Sequence, residues 1–121
     1  MKLDELMIDL DRDFLLEMAM RVKPANSGLR QVIWVSTKDH AKGRHGPRLK
    51  VSNVVGKFDD SDNFSVTLAK EPIIVAGKSK FSTSENEDIL DWVKINHEPL
   101  MKYWEDVYED DAQFYAELEK V

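Results

Sequence analysis

Apolar positions near the start of the chain recur in steps of three and four: Leu3, Leu6, Met7, Leu10, Phe14, Met18 and Val22. That spacing places them on one face of an α-helix, with Asp4, Glu5, Asp9, Asp11, Asp13 and Glu17 on the others. Acids near its start suit the positive end of the helix dipole. Lys23-Pro24-Ala25-Asn26-Ser27-Gly28 ends the pattern, because Pro24 disfavours helical backbone at the residue before it and Gly28 tolerates a positive φ.

The period then changes. Gln31-Val32-Ile33-Trp34-Val35-Ser36 is a short run apolar on both faces and rich in β-branched residues, which predicts a central strand. Leu49 and Val51 alternate with Lys50 and Ser52, as a half-buried strand does. After the turn Asp59-Asp60-Ser61-Asp62-Asn63, Phe64, Val66 and Leu68 alternate with Ser65, Thr67 and Ala69. Lys70-Glu71-Pro72 breaks this strand, and Ile73-Ile74-Val75-Ala76-Gly77 is the last. Connections this short favour antiparallel neighbours.

Helical spacing returns after Ser84-Glu85-Asn86-Glu87, which matches a capping box. Ile89, Leu90, Trp92, Val93, Leu100, Trp104, Val107 and Tyr108 carry the apolar face, and Phe114, Tyr115 and Leu118 extend it. Pro99 either kinks one long helix or sits in the first turn of a second. The order predicts an α+β fold: an N-terminal helix, a central antiparallel sheet of about four strands, and one or two C-terminal helices packed on one face. A doubly wound sheet would need helices between its strands, and the connections leave no room for them. At 121 residues the whole chain, 1–121, reads as a single domain.

Charge adds a layout to this order. Residues 1–22 carry three basic and six acidic side chains, net −3; residues 23–84 carry eleven and five, net +6; residues 85–121 carry three and twelve, net −9. Acidic ends bracket a basic middle. Either these parts face one another, or the surface steers a charged partner. Cysteine is absent, which excludes a disulfide framework, a thiolate zinc site and a cysteine nucleophile. The opening Met1-Lys2-Leu3-Asp4-Glu5-Leu6 has acids where a signal sequence needs an apolar core, and no run approaches a membrane span. These features predict a cytoplasmic protein with no membrane partner.

The densest candidate chemistry is Lys38-Asp39-His40-Ala41-Lys42-Gly43-Arg44-His45-Gly46-Pro47-Arg48-Leu49-Lys50, with five of the 17 basic residues and two of the three histidines. Gly43, Gly46 and Pro47 predict a loop running into a strand. Lys42, Arg44, His45, Arg48 and Lys50 can meet an anion, with the glycines letting backbone approach. Arg48 and Lys50 share one strand face opposite Leu49 and Val51, with Trp34 or His45 available for stacking. The bland alternative is a solvated hairpin whose cations pair with acids of the terminal helices. A ribonuclease reading gives His40 or His45 acid–base work and the arginines the phosphorane. A metal would need a third ligand beside His40 and His45, and their spacing matches no zinc pattern, so no metal or other cofactor is expected. Asp59-Asp60-Ser61-Asp62-Asn63 fails as a calcium loop: it lacks glycine at the sixth position and has Lys70 at the twelfth. The run Glu105-Asp106-Val107-Tyr108-Glu109-Asp110-Asp111 is a wet helical face or a nucleic-acid mimic. Trp92 and Trp104 are core residues or interface anchors, the latter implying a homodimer.

Two segments together resemble a known group. Val32-Ile33-Trp34-Val35-Ser36 is followed by Arg44-His45-Gly46-Pro47-Arg48-Leu49-Lys50-Val51. Ile74-Val75-Ala76-Gly77 is followed by Asp91-Trp92-Val93-Lys94-Ile95-Asn96-His97-Glu98-Pro99-Leu100-Met101-Lys102-Tyr103-Trp104. Over residues 30–105 this is similar to small uncharacterised prokaryotic and phage proteins, and to a bacterial domain family of unknown function found in toxin–antitoxin-like cassettes. The present chain has Arg44-His45-Gly46-Pro47 where that family places a proline before a histidine pair, and no catalytic residue carries over. The resemblance implies an accessory protein of a phage or mobile element. The leading expectation is thus a non-enzymatic protein that binds a macromolecule, a protein rather than nucleic acid, as an inhibitor or antitoxin does. The alternatives are a metal-independent ribonuclease-type toxin and a structural homodimer.

Overall fold

Five short strands in chain order form one antiparallel sheet in the computed structural model, which describes residues 20–121 apart from the side chain of His40. The strands are β1 (Met20–Val22), β2 (Ile33–Val35), β3 (Arg48–Ser52), β4 (Asn63–Thr67) and β5 (Ile74–Ala76), in the order β1-β2-β3-β4-β5. Single helical turns α1 (Pro24–Ser27) and α2 (Lys38–Ala41) sit in the first two connections. Three helices close the chain: α3 (Thr83–Ile95), α4 (His97–Trp104) and α5 (Asp111–Glu117). The class is α+β. The expected N-terminal helix lies outside the described residues, except at its end. There Met20–Val22 pairs with β2 as a strand, Val22 opposite Ile33, in place of the last helical turn. That pairing is the fifth strand, one more than the pattern predicts. Val22 stands four residues after Met18, a spacing that a strand burying alternate residues also allows, and Met20 and Val22 are buried on either side of exposed Arg21.

The register sorts every strand into two faces. Val22, Ile33, Val51 and Phe64 align across one face, with Leu49 opposite Val66 and Val66 opposite Ile74. This face and the C-terminal helices make the core, which holds Ile89, Trp92, Val93, Leu100, Tyr103, Trp104 and Phe114. Trp92 and Phe114 are fully buried, and truncating a ring of this kind to alanine costs about 3–5 kcal/mol. Phe114 lies 4.9 Å from the Tyr103 ring and 5.7 Å from that of Tyr108. Burial in this cluster pushes the Tyr103 hydroxyl up to about 12. The opposite face carries Arg21, Trp34, Lys50 and Ser65 in one row, with Arg48 opposite Thr67 beside it. Within the run Gln31–Ser36, Ile33–Val35 is thus an interior strand, with β1 on one side and β3 on the other.

Helix boundaries follow local hydrogen bonds. The cap of α3 is Ser82, whose side chain accepts from the Glu85 N–H at 3.2 Å, two residues before the expected Ser84. Ser82-Thr83-Ser84-Glu85 contains the same spacing as Ser84 to Glu87. Glu85 settles the choice: its carboxylate takes Nε and an Nη of Arg30 at 2.8 and 3.0 Å and the amide of buried Gln31 at 2.9 Å. The helix breaks at Asn96, and Pro99 falls in the first turn of α4, where its missing N–H costs little. Asn96 is fully buried, and its amide donates to the Trp92 and Glu119 carbonyls while accepting from the Glu119 N–H. One side chain thus closes α3 and holds the segment after α5. In the acidic run, Asp110 caps α5 by accepting from the Gln113 N–H, and Gln113 accepts in turn from the Glu109 N–H. Among the described residues no helix is long and apolar enough to cross a membrane.

Candidate functional site: a cationic cavity at the β2–β3 junction

The connection from β2 to β3 crosses one end of the sheet and folds back on its polar face. It begins with the helical turn α2, where the sequence predicts loop. Ala41 anchors that turn in the core. Lys42 then takes a left-handed backbone with φ 51°, and Gly43 follows at φ 75°. The reversal is closed by Arg44, whose backbone N–H and Nε both donate to the Ala41 carbonyl, at 2.9 and 3.1 Å. Two successive left-handed residues turn the chain back, so Arg44 and His45 come to face β3.

A cavity of about 270 Å³ lies inside this fold-back, lined by Trp34, Ser36, Ala41, Arg44, His45, Arg48 and Lys50. Four of the five residues expected to bind are brought together here: Arg44, His45, Arg48 and Lys50. Lys42 is not among the lining residues; as the exposed cap of α2 its side chain leaves the site. Trp34 and Lys50 are direct cross-strand partners, and the Lys50 ammonium sits 4.9 Å from the Trp34 ring centre. Phe58 contacts the same indole at 5.0 Å. His45 packs against Trp104 with ring centres 5.7 Å apart, and its Nδ1 lies 2.8 Å from the Gly46 carbonyl oxygen. A carbonyl only accepts, so Nδ1 carries the proton. The His40 side chain lies outside what the structure describes, so of the two histidines in the ribonuclease reading the structure places the His45 ring alone.

The electrostatics of the cavity are those of crowded cations. Burial first, and then the neighbouring Arg48 charge, hold the Lys50 ammonium below the ordinary lysine range; Asp60 opposes this and Arg44 adds to it. Arg48 is half-buried, and its Nε is buried without a hydrogen-bond partner among the described residues. Leaving a desolvated guanidinium N–H unmade costs about 1–3 kcal/mol or more, a penalty the fold carries at Arg48. Lys38 has a different fate, since it donates to Glu105 at 2.7 Å. The bland alternative is therefore realised at Lys38 and not at Lys50. Among the described residues no three His, Asp or Glu side chains converge as a metal site requires.

Trp92 and Trp104 are 0% and 5% exposed within their own chain. Both belong to the core, and neither offers a surface to a second copy. Ser36 and Ala41 are cavity residues that sequence reasoning missed; Ala41 becomes one only because α2 forms. Comparison of the chain with protein-family models, with curated proteins and with solved structures finds no match.

Proposed function

We propose that this is a non-enzymatic binding protein that docks a protein partner by drawing an anionic group of that partner into the β2–β3 cavity. The observation that carries the reading is the convergence of Arg44, Arg48, Lys50 and His45 on one recess. The net charge of −6 and the −9 of residues 85–121 disfavour a long polyanion such as nucleic acid, while leaving a single anionic group on a peptide free to approach. An accessory role of the inhibitor or antitoxin kind, which the sequence resemblance implies, is part of this proposal.

The test is a titration with a hexa-aspartate peptide, followed by backbone and arginine Nε–H signals in ¹H–¹⁵N spectra. Shifts should concentrate at residues 44–50 and weaken as salt rises. The double variant Arg44→Ala with Arg48→Gln should abolish them. Shifts scattered over the surface, or unchanged in the double variant, would remove the cavity from the reading.

A further inference from the structure

The two faces of the sheet differ in what covers them. Helices α3, α4 and α5 close the core face. On the polar face Arg21 is exposed, and Trp34, Arg48, Lys50 and the neighbouring Phe58 are partly exposed. The chain that precedes β1 has the complementary character. Its apolar positions Leu3, Leu6, Met7, Leu10, Phe14 and Met18 keep helical spacing, and a stripe of this kind needs a surface to bury against. Its charges are Lys2 and Arg12 against Asp4, Glu5, Asp9, Asp11, Asp13 and Glu17, net −4. We infer that this segment, residues 1–19, is the occupant of the polar face: it lies across the sheet beside Trp34, sets its acids against Arg48 and Lys50, and is displaced when a partner's anionic group enters the cavity. The displacement rests on the docking role proposed above; the position of the segment does not.

The point of entry decides what the segment reaches. Met20 pairs with Val35, and the residue after Val35, Ser36, lines the cavity. The segment therefore joins β1 at the end of the sheet where the cavity lies. Asp13 and Glu17, one helical turn apart, stand close to that junction. A helix over 3–18 is about 24 Å long, and five strands side by side measure about 19 Å from first to last, so the segment is long enough to cross the face. The local charge favours it after the neighbours are counted. Arg44 is already engaged, at Nε by the Ala41 carbonyl, and does not enter the count. Lys38 and Glu105 offset each other. Arg21, Arg48 and Lys50 stand against Asp60, which leaves two net positive charges. The Arg48 Nε is closed off, so what acts on the acids is the Arg48 charge and not that N–H. Trp34, Phe58 and the stems of Arg48 and Lys50 give the apolar surface. The surface of residues 85–121, net −9, repels the same segment.

The experiment uses the full chain. It has no cysteine, so Asp9→Cys, on the side of the expected helix away from the apolar stripe, takes a single nitroxide. In ¹H–¹⁵N spectra of the labelled protein the Trp34 indole and the Arg48 and Lys50 amides should broaden, while the Asp91 and Lys94 amides of α3 stay sharp. Broadening confined to α3–α5, or none at all, would overturn the inference. A mixture of nitroxide-labelled protein and unlabelled ¹⁵N protein tests the rival occupant. Broadening of the Trp34 indole in that mixture would give the face to the segment of a second copy and overturn the intramolecular cover. Displacement is read separately. Asp13→Asn with Glu17→Gln keeps the apolar stripe and removes the two acids nearest the junction. Affinity for hexa-aspartate, and for inorganic phosphate as a smaller anionic probe, should rise about threefold, on the scale of surface ion pairs. Saturating hexa-aspartate should also sharpen the Trp34 indole of the labelled protein. Unchanged affinity and unchanged broadening would overturn the displacement. The expected broadening with no binding of either anion would support the cover and overturn the docking role.

Discussion

Lys50 is the residue where fold and site conflict most. Its stem packs into the sheet face, its ammonium lies over Trp34, and burial together with Arg48 lowers its pKa from 10.5. The sign follows. Because the folded pKa is the lower one, the charged lysine is disfavoured by folding at every pH below it. Stability then rises as pH climbs from the folded pKa toward 10.5, where the unfolded chain still holds the proton. Lys50→Met keeps the stem and removes the charge. The cation–π contact it loses is worth about 1 kcal/mol, which opposes the relief of desolvation. Over pH 8 to 11 urea melts should show the parent protein gaining stability relative to the variant, while the raised pKa values of Tyr103, Tyr108, Tyr115 and Lys38 pull both profiles down at the alkaline end. Binding of inorganic phosphate should be lost in the variant even where stability is kept. A difference between the two profiles that does not change with pH would show that Lys50 bears no penalty. Asn96 is the opposite kind of residue, fully satisfied and structural. Asn96→Ala leaves the Glu119 N–H without its 2.7 Å acceptor and the Glu119 carbonyl without its donor, while the Trp92 carbonyl keeps the Asn96 backbone N–H at 3.1 Å. It should cost about 1–3 kcal/mol in a denaturant melt, and phosphate affinity, measured below the transition, should not change.

At the scale of elements, legibility tracked the range of the interaction that decides each one. Strands β3 and β4 were visible because alternation of Leu49 and Val51, then Phe64 and Val66, is a local pattern with one reading. Met20–Val22 reads as helix because Val22 stands four residues after Met18, a spacing that one face of a helix and one face of a strand both allow, and only pairing with Val35, Trp34 and Ile33 chooses the strand. The α3 boundary was ambiguous for a related reason. Ser82 and Ser84 each stand three residues before a glutamate, and the choice depends on Arg30 and Gln31, more than fifty residues away in the chain. The cap can be checked directly. Ser82→Ala should destabilise by about 1 kcal/mol, while Ser84→Ala, exposed inside the first turn, should change stability by a few tenths at most. The reverse ranking in thermal melts would return the cap to Ser84. The site was legible as composition and spacing: Arg48 and Lys50 two apart on a strand, Arg44 and His45 beside glycines. Its shape was not legible. The cavity needs the left-handed pair Lys42 and Gly43 to turn the loop back, and Lys42, read as a ligand, is used up as the hinge of that turn.

The whole molecule sets the strength of the site through its charge layout. The basic middle and the acidic end meet at two exposed bridges, Arg30 with Glu85 and Lys38 with Glu105. Exposed pairs of this kind contribute little to stability, because water and salt screen them, so neither holds the fold together. Their larger effect is on the field at the cavity. Glu105 follows Trp104, on which His45 packs, and its carboxylate holds Lys38 at 2.7 Å. Neutralising it removes a negative charge next to Trp104 and releases the Lys38 ammonium. Glu105→Gln should therefore raise affinity for inorganic phosphate about two- to threefold at low salt, on the energy scale of one surface pair. It should also steepen the decline with added salt, because one more cation then takes part. Calorimetric titrations at several sodium chloride concentrations measure both quantities. The Arg30 and Glu85 pair provides the control, since it lies at Gln31 on the far side of β2 from the loop. Removing Glu85 should cost stability by stranding the buried Gln31 amide, yet leave phosphate affinity where it was. If Glu85→Gln and Glu105→Gln raise affinity equally, the effect belongs to the net charge of the chain and not to the rim of the cavity. If Glu105→Gln lowers it, the Lys38 bridge is what holds the loop in its binding shape. A rise confined to Glu105→Gln ties the acidic end of the chain to the cavity, restraining what it admits.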